Sequence, residues 1–97
     1  MHGQDLAFTE VPNVKLKQES HQHLSIFPNP TTDFFGVKHD KDIRKVVVYN
    51  WIGKKIQSFN HSKGNMYNVE NLDAGIYIVR LFDEHDKLQK VLRLHRN

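Results

Sequence analysis

Seven histidines, His2, His21, His23, His39, His61, His85 and His95, are the side chains best suited to metal or proton chemistry in this 97-residue sequence. His21 and His23 fall on one face of an extended segment, a spacing that two metal ligands can use. No third ligand follows at a defined spacing, so no metal site is assigned. His85, between Glu84 and Asp86, reads as a solvated turn residue. Nucleophilic chemistry has less to build on, because Ser20, Ser25, Ser58 and Ser62 lie in no G-x-S-x-G elbow. The 5 glycines stand singly at turns instead of forming a phosphate-cradling loop. With no cysteine, thiol catalysis, thiolate metal sites and disulfide staples are excluded. Asp and Glu gather in turn segments, and no carboxylate pair is visible. The sequence therefore reads as non-enzymatic, without a cofactor.

The elements that must position any site are strands. Hydrophobic residues make up 38% and charged residues 26%, which suits one small globular domain. No apolar run reaches the ~18–20 residues of a membrane span. Lys plus Arg is 14 and Asp plus Glu is 11, a net +3 that does not call for a nucleic-acid partner. The N-terminus lacks the basic-then-apolar pattern of a signal peptide, as expected of an intracellular protein, a processed one or a fragment. Residues 1–23 read as a linker or expression remnant, partly ordered at most, with a short edge strand allowed over 14–18.

From Leu24 onward, β-branched and aromatic runs alternate with Pro, Gly, Asn and Asp. Seven runs are predicted, at 24–27, 34–38, 43–49, 54–59, 66–69, 76–82 and 88–94. Their starts lie about 8–12 residues apart, the spacing of an antiparallel β-sandwich or barrel. In the sixth run Tyr77, Val79 and Leu81 share one face and Ile76, Ile78 and Arg80 the other. Two apolar faces predict a central strand. In the last run Leu88, Lys90, Leu92 and Leu94 alternate with Gln89, Val91 and Arg93, so one face is expected to be buried.

Three local motifs stand out. In Ile26-Phe27-Pro28-Asn29-Pro30, the prolines fix φ and remove two donors, giving a rigid crossover or a stiff recognition surface. In Tyr49-Asn50-Trp51-Ile52-Gly53-Lys54, Gly53 is predicted at positive φ, with the Asn50 side chain capping a hairpin turn. Trp51 and Ile52 are expected to fold back on the core, with an exposed contact patch as the alternative. Leu72-Asp73-Ala74-Gly75-Ile76-Tyr77 resembles the corner of Ig-like sandwiches, where a Tyr hydrogen-bonds to upstream backbone. The final segment carries Lys87, Lys90, Arg93 and Arg96 with no acid, which fits either a phosphate contact or a charged edge strand.

In this order, the three motifs and the basic, apolar last strand resemble the type A C-terminal sorting domain of the Bacteroidetes type IX secretion system. The resemblance covers 24–97, which it makes the sorting domain. It implies an Ig-like sandwich of about seven strands that directs an exported cargo to the cell surface and is itself no catalyst. Its implied partners are the translocon with its shuttle proteins and a surface sortase that cleaves upstream of Leu24, near 20–23. No nucleic-acid partner and no membrane insertion are implied, and pairing of two chains through an edge strand stays open. Its implied route is the periplasm, then the outer-membrane surface or the medium.

Carried over residue by residue, Pro28, Asn29 and Pro30 match the first family motif, Gly53 and Lys54 the second, and Gly75 and Tyr77 the third. Lys90, Leu92, Arg93, Leu94 and Arg96 match the terminal strand on which recognition depends. That strand, ending at Asn97, is expected to form part of the contact surface, by β-strand addition or through its carboxylate.

A carbohydrate- or protein-binding Ig-like module is the competing expectation, with Trp51, Phe59 and Tyr67 as an aromatic platform. A structural spacer is another, and would be expected to continue into a further domain.

Overall fold

The structure, a computed structural model, describes residues 23–97. The expectations for His2, His21 and the strand over 14–18 lie outside the described residues. Seven strands form: β1 Ser25–Phe27, β2 Phe34–Lys38, β3 Lys45–Asn50, β4 Lys55–Asn60, β5 Met66–Asn68, β6 Gly75–Phe82 and β7 Leu88–Arg96. Each lies within two residues of its predicted run. They make two antiparallel sheets, ordered β1-β2-β5 and β4-β3-β6-β7, packed face to face as a sandwich.

Strand alternation explains the core. Val46 and Val48 of β3 and Tyr77, Val79 and Leu81 of β6 point inward against Phe35, Val37 and Tyr67 of the other sheet. Leu94 of β7 closes one end and Ile43, in the loop before β3, the other. Fully burying each aliphatic side chain is worth about 1.5–3 kcal/mol, so the core rests on this alternation being kept. Val47 is buried as well, on the outer face and outside the core cluster. On that face the Arg80 guanidinium lies 4.7 Å from the Tyr49 ring and Lys45 4.9 Å from the Phe82 ring.

Two details depart from the sequence expectations. Leu88 is 48% exposed, because the β6–β7 register shifts between Leu81 and Phe82. An unpaired residue turns the side chains before it to the other face. The second concerns β4. In a constant-type immunoglobulin sandwich the fourth strand joins the first sheet; here the tight Asn50–Lys54 turn keeps β4 on β3.

Candidate recognition surface

At one pole of the sandwich the predicted motifs meet. The crossover after β1 leaves the first sheet and reaches the edge of β7 in the second. Pro28 and Pro30 offer no N–H, and the peptide bonds entering both are cis. The Asn29 side chain supplies the missing polar groups. Its Nδ2 donates to the Arg93 carbonyl at 2.7 Å, and its Oδ1 accepts from the His95 N–H at 2.9 Å. Thr31 continues the ladder in parallel, its N–H donating to the His95 carbonyl and its carbonyl accepting from the Asn97 N–H, both at 2.8 Å. An asparagine amide thus stands in for a peptide group at the start of a short parallel bridge.

The β3–β4 turn is held by one side chain. Asn50 Oδ1 accepts from the N–H of Ile52 at 3.2 Å and of Lys54 at 2.9 Å, and Gly53 sits at φ 92°. Both turn assignments made from the sequence hold. Trp51 and Ile52 do not fold back on the core, however; they are 78% and 67% exposed. The two-residue tip lies beyond the ends of β3 and β4, and Trp51 lines an open groove instead of packing into the core. The proposed aromatic platform is not formed either, since Tyr67 is buried and Phe59 packs against the core.

The corner before β6 forms as expected. The Tyr77 hydroxyl donates to the Asp73 carbonyl at 2.6 Å, and Gly75 takes φ 148°. Burial, joined by the Asp73 carboxylate, raises the Tyr77 phenol above its ordinary pKa. Arg96 clamps the end of β7 to the same corner: its Nε donates to the Val69 carbonyl at 3.0 Å and its Nη2 to that of Glu70 at 2.9 Å.

An open groove of about 860 Å³ runs between the turn and the corner. Trp51, Ile56, Asp73, Ile76 and Arg93 are among the residues that line it. The structure therefore brings Asn29, Gly53, Lys54, Gly75, Tyr77, Arg93 and Arg96 to one pole. Leu92 and Leu94 face inward, Leu94 fully buried, and anchor the strand. Lys90 stands apart, paired in register with Leu81 and roughly 10 Å along the strand from Arg93. Along the β7 edge, the Arg93 carbonyl, both His95 backbone groups and the Asn97 N–H are already taken. Strand addition there would have to displace Asn29 and Thr31.

The opposite pole holds a cluster that the sequence analysis did not single out. His61, directly after β4, donates from Nε2 to Asp40 Oδ2 at 2.6 Å, and its Nδ1 meets the Tyr67 hydroxyl. All three residues are buried. A carboxylate only accepts, so His61 Nε2 carries the proton of that bond. Burial alone would raise the Asp40 carboxyl, but the hydrogen bonds from His61 and the Gly64 N–H outweigh it and hold it below its ordinary value. Burial raises the Tyr67 phenol. Asp40 and His61 are 21 positions apart, so no local spacing marks the pair. His23 stacks near His39, their ring centres 5.6 Å apart. Among the described residues, no three His, Asp or Glu side chains gather as metal ligands would.

The chain is thus a small all-β sandwich in which three separate sequence motifs and the last strand meet at one pole. A family model described as the secretion system C-terminal sorting domain matches residues 25–93, and the chain belongs to that family, the type IX sorting domains. It is a family of secretion signals, so the protein is an exported one, secreted or surface-associated. The chain is also 31% identical over 68 residues to a protein named ulvan lyase NLR42 from Nonlabens ulvanivorans. That match covers 67% of this chain and 13% of the relative's length.

Proposed function

We propose that this domain is a non-catalytic address that takes an exported cargo through the periplasm and the type IX translocon. A surface sortase then removes it in the linker upstream of Leu24. The observation that carries this reading is the hydrogen-bonded union of the Pro28-Asn29-Pro30 crossover with Arg93 and His95. Two motifs more than 60 residues apart become one surface, flanked by the Asn50–Lys54 turn and the Tyr77 corner. Shuttle and translocon components would meet that pole. The lyase match spans a small part of that enzyme, so its chemistry is not carried to this chain.

The test is a signal peptide and fluorescent reporter fused ahead of residues 10–97 in a Bacteroidetes host, with and without an intact translocon. Translocon-dependent appearance of the reporter outside the cell is expected. A folded fusion held in the periplasm of both hosts would overturn the reading. It would favour the binding-module alternative, to which the exposed Trp51 lends its own support.

A further inference from the structure

The β3–β4 tip has features that the sorting reading does not use. Trp51 and Ile52 are the two most exposed large apolar side chains of the described residues. They sit side by side on a turn that Asn50 locks through two side-chain hydrogen bonds, so presenting them needs no rearrangement. Lys54 and Lys55 follow immediately, both exposed, and among the described residues neither has an ion-pair partner. The whole hairpin, residues 45–60, carries three lysines and no acid. Arg93 lines the adjoining groove; Asp73, on the corner across from the turn, is the carboxylate among its lining residues. His23 and Leu24, the first of the described residues, lie at the other pole with His39 and Gln89.

We propose that this tip docks on an anionic lipid bilayer. Trp51 and Ile52 enter the headgroup layer, and Lys54 and Lys55, with Arg93 behind them, meet the lipid phosphates. Tryptophan partitions to the membrane–water interface because its ring is apolar and its N–H polar. Lysines beside it gain from a negative surface potential. A protein hot spot places its aromatic anchor at the centre of a patch that neighbouring residues seal from water. These two side chains instead stand exposed on a turn, with Lys54 and Lys55 next in the chain, which fits a soft charged surface better than a shaped pocket. The contact lies on the membrane and does not cross it. It shares Lys54 and Arg93 with the pole proposed for the sorting machinery, and its test on vesicles needs none of that machinery.

Trp51 is the single tryptophan of the chain and reports directly. The full chain is mixed at low salt with phosphatidylglycerol vesicles and, separately, with phosphatidylcholine vesicles. Co-sedimentation and a blue-shifted Trp51 emission with the anionic vesicles are expected, weakening as salt rises. Removing charge in Lys54→Gln and Lys55→Gln should lower partitioning roughly fivefold per lysine. The double substitution Trp51→Ser, Ile52→Ser, followed by co-sedimentation, should abolish it while the thermal midpoint stays unchanged. No binding to anionic vesicles at low salt, or binding that survives the double substitution, would overturn the proposal. So would a Trp51 shift produced by a soluble glycan or an acidic protein but not by vesicles.

Discussion

At the scale of single residues, buried polar groups are tolerable only when each finds a partner, and Asp40 shows how far this shapes the chain. His61 Nε2 and the Gly64 N–H both donate to its Oδ2, and the Tyr67 hydroxyl completes the far side of the ring. In Asp40→Asn the amide oxygen can take the Oδ2 position and still accept from both donors, so what is lost is the negative charge that strengthens the two bonds. The cost near neutral pH should be about 1–3 kcal/mol. Acid dependence gives a sharper test. Folding lowers the Asp40 pKa, so below its ordinary value, about 4, the unfolded chain binds the proton more readily than the folded one. Stability from this group is therefore present above that pH and lost as pH falls through the depressed folded value. Urea midpoints measured from neutral pH into acid should converge for the native sequence and Asp40→Asn. Parallel curves would show that Asp40 carries no such linkage.

At the scale of elements, the two hairpins of the larger sheet use one design written in different residues. Asn50 and Asp83 each accept, through one side-chain oxygen, from the N–H two and four positions on. Each also donates its own N–H to the carbonyl four residues on, at 2.9 and 3.0 Å. The fourth residue of each turn has positive φ: Gly53 at 92° and Asp86 at 61°. Glycine meets that requirement without strain, whereas aspartate does so with some cost. Opposite effects are expected at the two equivalent positions. Gly53→Ala should destabilise by about 1 kcal/mol. Asp86→Gly should stabilise by a few tenths to about 1 kcal/mol, most clearly at high salt, where loss of the exposed Lys45–Asp86 ion pair matters least. Denaturation midpoints moving in the same direction would refute the equivalence. Element-level design also limits what truncation can show. Removing residues 93–97 would strip Leu94 from the core and both clamps from β7, so lost export would only report unfolding.

At the scale of the whole molecule, what was legible in the sequence was local and what was not was long-range. Strand positions followed from β-branched runs between Pro, Gly and Asn, and the roles of Asn50, Gly53 and Tyr77 from turn chemistry within five residues. Asn29 meeting Arg93, Arg96 meeting Val69 and His61 meeting Asp40 depend on how the sheets pair, which no short window encodes. Trp51 was misplaced for the related reason that burial belongs to the assembled sandwich. The assembled molecule has two unlike poles. One gathers the family motifs around the groove beside Arg93. The other holds His23 and Leu24 and carries the basic basin of Lys41, Arg44 and Lys63 over the His61 cluster. If the address is read at the first pole alone, charge reversal should matter by position and not by number. Arg93 and Lys63 are both exposed, so Arg93→Glu and Lys63→Glu should each leave the thermal midpoint within about 0.5 kcal/mol of stability. In the reporter fusion, Arg93→Glu should cut translocon-dependent export severalfold, while Lys63→Glu exports as the native domain does. Equal loss from both would mean that net charge, and not a localised surface, is what the machinery recognises.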